Sequence, residues 1–330
     1  MQDRPDWAYD WSKPDAAIDR ATAAGQQILV LIAYAPPWSN GHDATHDDKW
    51  LPLPEYDSGW AAFVDAMTRR YAGRVQVYEI WNEPNDLHFG NYGSNTDEER
   101  RQRYWDLVRL SHTTITSACG SCLVVAGGPE GGNPPVASGQ PNPNSPAAWL
   151  DWAYRHGCGD DFDAVATHPY PIGTRKECPV PADNYCGRPS LVLFGADYLA
   201  GRPYQQQCGQ LGALRAVLVD NGDADKKIWG TEWGYPTASY LGAAHPSLDS
   251  IRDFDVEGVH LWRERPYLGP LFLYQHQDGC ADPVDSECHY GTVDRNAPAT
   301  WSDTTATATR SGPATRSCRG QADCNRPATG

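Results

Sequence analysis

The sequence predicts an α/β fold built on a parallel sheet, and three features carry this prediction. Short apolar runs alternate along the chain with amphipathic stretches, the order that arises when each strand is followed by a helix. The apolar runs are nearly continuous, which is typical of strands covered on both faces. Polar and aromatic residues collect directly after these runs, where the strands of a parallel barrel all end on one face.

The first helix and strand show the pattern at the start of the chain. An amphipathic stretch over residues 15–24 predicts a helix, with Ser12 and Asp15 as a capping box at its start and Gly25 as the glycine after its end. The apolar run over 28–34 is the first predicted strand, and a pair of prolines ends it.

The same alternation continues through most of the chain. Two long loops, over 131–144 and 169–189, interrupt it, and loops of this length are more often functional than accidental. From residue 296 the sequence loses its periodicity, which favours a disordered tail (296–330) after a barrel domain (1–295). The further predicted helices cover 58–71, 97–118, 146–156, 205–220 and 249–265, and the further strands cover 75–81, 123–126, 164–167, 227–231 and 271–274.

Composition and charge exclude several classes of partner. The net charge of −15 argues against nucleic acid, because binding a polyanion depends on clustered Lys and Arg. No apolar run approaches the roughly 18 residues that a membrane helix needs, so membrane insertion is not expected. The sequence holds no nucleotide-cradling Gly loop, Gly-x-Ser-x-Gly elbow or His-Glu-x-x-His motif, and no cofactor is expected. Oligomeric state is not predicted.

Ten cysteines, an even number, favour disulfides over a zinc site. Zinc would need four ligands in compact paired clusters, and the cysteine pairs lie too far apart along the chain. Disulfides predict an oxidising compartment, hence an extracellular or periplasmic location, although no signal peptide follows Met1. The pairs close in sequence are Cys119 with Cys122, Cys178 with Cys186, Cys280 with Cys288, and Cys318 with Cys324; Cys158 and Cys208 remain and could pair.

Two glutamates at predicted strand ends point to glycosidic bond cleavage. Glu83 stands in Trp-Asn-Glu-Pro and Glu232 in Thr-Glu-Trp. This reaction needs a carboxylic acid that protonates the leaving oxygen and a carboxylate on the other side of the sugar ring, which attacks directly when the carboxyls are about 5–5.5 Å apart. We therefore expect Glu83 to be the acid/base and Glu232 the nucleophile. The alternative for Glu83 is an ordinary carboxylate at a helix start, and the alternative for Glu232 is a residue at a surface strand end.

Other strand-end side chains are candidates for sugar contact. Asn82 could donate to the sugar 2-hydroxyl, or serve as a turn residue. Tyr170 or His168 could hold Glu232 ionised by hydrogen bonding, or these two residues could belong to the framework near the core. Aromatic neighbours could raise the pKa of Glu83. The remaining candidates, with core packing as their alternative, are Tyr34, Trp38, Trp233 and Gln275.

The loop after the first strand holds two histidines and three aspartates, which raises the question of a metal. Their spacing matches no standard site, so we expect a solvated acidic loop and no metal. These residues are His42, Asp43, His46, Asp47 and Asp48.

Six strand-end motifs, taken in order, resemble the clan A glycoside hydrolases, and most closely family 39-like and cellulase-like members. The resemblance runs over about 11–292. It implies a (β/α)8 TIM barrel, with the acid/base closing strand four and the nucleophile closing strand seven. The motifs are Tyr34 to Trp38, Glu79-Ile-Trp-Asn-Glu-Pro-Asn85, Gly127-Gly128, Ala166-Thr-His-Pro-Tyr170, Thr231-Glu-Trp-Gly234 and Tyr274-Gln-His-Gln-Asp278.

On this correspondence the six predicted strands resemble strands three to eight, so strands one and two have no counterpart and the chain is expected to be N-terminally truncated. The predicted function is a retaining glycoside hydrolase that cleaves O-glycosidic bonds of a poly- or oligosaccharide by double displacement. The alternative is a catalytically inactive, carbohydrate-binding pseudoenzyme with an incomplete barrel. Transglycosylation would use the same two glutamates.

Overall fold

Six parallel strands form one sheet, in which neighbours in space are also neighbours in sequence, and the sheet curls into half a barrel. The predicted parallel α/β fold is confirmed. In order, the strands are β1 (Leu29–Ile32), β2 (Val77–Ile80), β3 (Leu123–Ala126), β4 (Ala164–Thr167), β5 (Lys227–Trp233) and β6 (Leu268–Leu273). The computed structural model describes residues 8–41, 49–93, 96–130, 142–170, 200–201, 203–207, 209–237, 247–280, 282 and 285–292.

Long helices connect successive strands, as the alternation predicts. Two single-turn helices, α2 and α4, lie in the segments after β1 and β2 and were not predicted. The helices are α1 (Ser12–Ala23), α2 (Pro37–Asn40), α3 (Asp57–Arg70), α4 (Leu87–Gly90), α5 (Asp97–Ala118), α6 (Pro146–Arg155), α7 (Gln210–Asp220) and α8 (Leu248–Arg263). Within the described residues no helix combines the length and apolarity needed to cross a bilayer.

The start of α1 differs from the prediction, whereas its end agrees. Ser12 lies inside the helix, and its backbone N–H donates to Asp10 Oδ1 at 2.9 Å, so Ser12 cannot be the cap. The capping box occurs instead at α5, where Thr96 and Glu99 each accept from the other's backbone N–H. Gly25 follows α1 with a φ of 67°, the left-handed geometry expected of a glycine after a helix.

The core fills the space between the sheet and the helices with large aromatic side chains, including the fully buried Trp81 and Trp149. The four residues of β4 are all buried, whereas the outermost strands are more open: Leu31 on β1 is 38% exposed. In the part of the chain that is described, β1 pairs only with β2, and β6 only with β5. These six strands form a half-barrel, and the (β/α)8 barrel that the resemblance implies stays a prediction.

The described cysteines confirm two of the suggested disulfides. Cys119 bonds Cys122, and Cys280 bonds Cys288. Cys158 is a free, buried thiol whose sulfur accepts a hydrogen bond from Arg109 at 3.3 Å. Its suggested partner Cys208 lies outside the described residues. The pairs at 178 and 186 and at 318 and 324 lie outside the described residues, as do the tail 296–330 and most of the two long loops.

Candidate active site

Glu83 lies in a tight turn directly after β2. Trp81 and Glu83 have φ angles of 72° and 43°, in the left-handed region that side chains other than glycine seldom adopt, and such strain often marks functional sites. Backbone hydrogen bonds hold the turn: Trp81 N–H donates to the Ile32 carbonyl at 3.2 Å, and Glu83 N–H donates to the Gly128 carbonyl at 3.0 Å. The neighbouring strands β1 and β3 thus determine where the Glu83 carboxyl lies.

The Gly127-Gly128 turn after β3 packs against this segment too closely for any side chain. A Cβ on Gly127 would lie 2.1 Å from the Trp81 carbonyl oxygen, and one on Gly128 would lie 2.5 Å from the His168 ring. Both distances are far below van der Waals contact. The glycine pair therefore allows the Glu83 turn, His168 and the end of β3 to meet.

The Glu83 carboxyl is mostly buried beside His168. Its side chain is 15% exposed, and its Oε1 lies 2.7 Å from His168 Nδ1. Burial and, second, the charge of Asp86 raise the pKa of Glu83 to about 7, while burial lowers the pKa of His168. The direction agrees with the expectation, but the causes are burial and Asp86 in place of the aromatic neighbours that the sequence suggested. A neutral imidazole beside a carboxyl that still carries a proton near pH 7 suits proton transfer.

Glu232 lies near the end of β5 and approaches the same His168 nitrogen as Glu83. Tyr170 donates a hydrogen bond to Glu232 Oε2 at 2.9 Å, and His168 Nδ1 lies 3.6 Å from the same oxygen. Burial raises the pKa of Glu232, and both His168 and Tyr170 oppose the rise. The two side chains thus favour the ionised form as expected, but against a burial effect that the sequence did not reveal. One oxygen each of Glu83 and Glu232 and a His168 nitrogen all lie within 4.8 Å of one another.

Tyr34 and Asn82 complete this cluster. Burial, followed by the charges of Glu83 and Glu232, raises the pKa of Tyr34, and hydrogen bonding from Asn82 opposes the rise. The Asn82 side chain is buried. The structure thus brings Tyr34, Asn82, His168 and Tyr170 together with both glutamates.

Three other candidates make their described contacts with residues outside this group of six. Trp233 is buried in the core (1% exposed). Its ring packs against Gly258 of α8 so closely that a Cβ at Gly258 would lie only 2.2 Å from a ring carbon. Because successive strand residues point to opposite faces, Trp233 is directed away from the face that Glu232 lines. Trp38 packs edge-on against Tyr56 at 5.4 Å between ring centroids, and Gln275 forms backbone hydrogen bonds with residues 290 and 292.

Sequence reasoning did not single out Glu130, which follows β3. Burial and then the charge of Glu83 raise the pKa of Glu130 to about 7, so this carboxyl belongs to the same electrostatic environment. Its place two residues after Gly128, at a strand end, was the available signal. Tyr290 was also missed: its ring lies 5.5 Å from that of Tyr170 and 5.7 Å from that of Tyr274, and no local pattern connects these positions.

Two clusters in the described residues have spacing that could hold a metal ion. Cys280, Asp285 and Cys288 form one, but its sulfurs are joined in a disulfide and cannot bind as thiolates. Glu83, His168 and Glu232 form the other, in which His168 Nδ1 lies 2.7 Å from Glu83 Oε1. The histidine-rich loop at 42–48 lies outside the described residues.

Comparison with known proteins shows a likeness of structure rather than of sequence. No protein-family model matches the chain, and no curated protein is similar to it in sequence. A family 39 glycoside hydrolase from Bacteroides cellulosilyticus WH2 superposes with a TM-score of 0.60 at 16% identity, over 88% of this chain and 51% of its own. A monomeric β-xylosidase from Caulobacter crescentus CB15 gives 0.55 at 17% identity, over 87% and 54%.

A β-galactosidase from the psychrophilic Marinomonas ef1 superposes with a TM-score of 0.58 at 11% identity, over 91% of this chain and 51% of that one. The chain thus spans about half the length of these structures. Identities this low establish the fold alone. The described half-barrel is therefore similar in fold to part of these three structures.

Proposed function

We propose that this chain carries a retaining glycoside hydrolase domain, over 1–295, that cleaves O-glycosidic bonds of a poly- or oligosaccharide without a cofactor. The observation that carries the proposal is the approach of Glu83 and Glu232 to within 4.8 Å, oxygen to oxygen, beside one nitrogen of His168. A carboxyl spacing of about 5–5.5 Å leaves room for direct attack on the sugar, whereas inversion needs a wider gap for water.

In the first step the Glu83 carboxylic acid protonates the glycosidic oxygen while a Glu232 oxygen attacks the anomeric carbon. The bond to the leaving sugar breaks, and a glycosyl ester forms on Glu232. In the second step the Glu83 carboxylate takes a proton from water, the water oxygen attacks the same carbon, and Glu232 is released. A Glu83 pKa of about 7 suits a group that must both give and take a proton.

The surrounding side chains support these roles. Tyr170 donates to Glu232 and so stabilises the carboxylate before attack. We assign Asn82 to the sugar 2-hydroxyl, Tyr34 and His168 to the sugar bound between the glutamates, and Trp38 and Gln275 to outer contacts. Three structural neighbours are a family 39 glycoside hydrolase, a β-xylosidase and a β-galactosidase, which supports a carbohydrate substrate. The two disulfides support an extracellular or periplasmic location.

The test is hydrolysis of a panel of activated aryl glycosides. Glu232→Ala should abolish release of the phenol, and azide should restore it with formation of a glycosyl azide of inverted configuration. Glu55→Ala, which removes an exposed glutamate outside the cluster, is the matched control and should hydrolyse normally. Full activity in Glu232→Ala would eliminate the assignment of the nucleophile.

A carbohydrate-binding pseudoenzyme is the second candidate, and the open edges of β1 and β6 in the described residues favour it. In that case the folded protein would bind sugars, measured by calorimetry, yet hydrolyse no member of the panel.

A further inference from the structure

Glu79 is a buried carboxyl that the proposed reaction does not use. It lies on β2 and is 2% exposed. Its Oε1 accepts two hydrogen bonds, from the Gly128 N–H at 2.9 Å and from the Thr231 hydroxyl at 2.9 Å. Burying a carboxyl costs free energy unless it is hydrogen-bonded, and here both donors belong to the ends of other strands.

Each donor is one step from a candidate catalytic glutamate. The peptide unit of Gly128 links the two networks, since its N–H donates to Glu79 while its carbonyl accepts the Glu83 N–H at 3.0 Å. Thr231 is the residue directly before Glu232 on β5. A single oxygen of Glu79 therefore connects the backbone of the acid/base to the strand of the nucleophile.

The turn at Gly127 and Gly128 needs such an anchor. Close packing against Trp81 and His168 requires glycine at both positions, and glycine is the residue with the greatest backbone freedom. An unanchored glycine pair would let the hydrogen-bond acceptor of Glu83 shift. The Glu83 turn itself has a positive φ, a conformation that persists only when surrounding contacts hold it.

We propose that Glu79 is a positioning residue that sets the separation of Glu83 and Glu232 by holding Gly128 and Thr231 on one carboxyl oxygen. The inference rests on the function proposed above. Burial, opposed by the two hydrogen bonds, raises the pKa of Glu79 to about 8. At neutral pH the group is then largely protonated, so it anchors both strands without adding a third negative charge beneath the glutamates.

Two pairs of variants isolate this role. Glu79→Gln keeps an oxygen acceptor in the shape of the protonated acid, whereas Glu79→Leu removes the acceptor at similar volume. Thr231→Val deletes only the hydroxyl, and Thr231→Ser retains it. Within each pair the conservative variant is the matched control.

Steady-state kinetics on the best aryl glycoside is the first readout. Misplacing a reacting group by about 1 Å can cost about 100-fold in rate, so Glu79→Leu should lower kcat by about that factor with KM changed less than about threefold. Thr231→Val should lower kcat by about tenfold. Glu79→Gln and Thr231→Ser should recover most of the loss. Equal losses in Glu79→Gln and Glu79→Leu, or a loss confined to KM, would overturn the proposal.

Amide hydrogen exchange is the second readout, and it does not depend on turnover. In Glu79→Leu the amides of Gly128 and Glu83 should exchange faster, while those of Ala166 and Val165 on β4 stay as in the unmodified protein; Glu79→Gln should leave all four unchanged. A uniform increase would mean only lost stability and would refute the role. If Glu79→Leu does not fold, the threonine pair decides whether the anchor exists. The amides of residues 231–233 should then exchange faster in Thr231→Val than in Thr231→Ser. An inactive parent protein would refute the proposed function, and the exchange data would still decide the anchor.

Discussion

Replacing Tyr170 with phenylalanine removes one hydroxyl from the candidate active site and leaves the ring in place. That hydroxyl donates to Glu232 Oε2 at 2.9 Å, and the ring keeps its edge contact with Tyr290 at 5.5 Å. Hydrogen bonds to charged groups contribute about 1.5–3 kcal/mol. Glu232 is 22% exposed, so we take the lower end, about 1.5 kcal/mol, which corresponds to about one pKa unit.

The direction of the pKa shift at Glu232 follows from the charge that the Tyr170 hydroxyl stabilises. Tyr170 lowers the pKa of Glu232 against the effect of burial, so Tyr170→Phe raises this pKa further. Because the nucleophile must be ionised, the acidic limb of kcat/KM should move to higher pH by about one unit, so that at a fixed pH on this limb the rate should fall about tenfold.

The assay is a pH–rate profile with an aryl glycoside, and a second tyrosine provides the control. Tyr154 also donates to a carboxylate, Asp223 at 2.6 Å, but outside the cluster. Tyr154→Phe should lower the melting temperature without moving either limb. An unmoved acidic limb in Tyr170→Phe, with the fold intact, would refute the assignment of Glu232.

Three further predictions concern the acid/base, the glycine turn and the α5 cap. In Glu83→Gln the pH–rate profile should lose its basic limb near pH 7, because the raised pKa of Glu83 sets the pH above which the acid form is lost. The loss of rate should be smallest for substrates with good leaving groups, which a series of aryl glycosides would measure. Gly128→Ala should destabilise by about 1–3 kcal/mol in urea unfolding, since the new Cβ would meet the His168 ring, whereas Gly59→Ala, with open space in α3, should stabilise by about 0.5–1 kcal/mol. Thr96→Ala should cost about 1 kcal/mol in the same measurement by removing the N-cap of α5; no change would mean that the first turn is frayed.

The strand and helix order could be predicted from local pattern. Apolar runs, helical periodicity and Gly25 are each decided by residues close in sequence, and strands such as β3 and β4 match their predicted bounds. The same reasoning failed at Ser12, because a serine followed three residues later by an acid caps a helix only if its own backbone is not helical. That depends on Asp10, which accepts the Ser12 N–H instead.

The site was predictable in its members more than in its geometry. Strand-end position alone selected Glu83, Glu232, His168 and Tyr170, since parallel strands bring their ends to one face. It also selected Trp233, which alternates into the core, because pattern does not reveal which face a strand end presents.

By itself, the sequence determined the α/β alternation, the parallel sheet and the two glutamates that close strands, because periodicity and strand ends are local properties. Only the tertiary structure decided that Glu83 and Glu232 meet beside His168, that burial raises the pKa of both, and that Glu79 accepts hydrogen bonds from Gly128 and Thr231. Those features depend on distances between residues up to 152 positions apart in the chain, and on the water excluded by the packing around them, neither of which a local pattern contains.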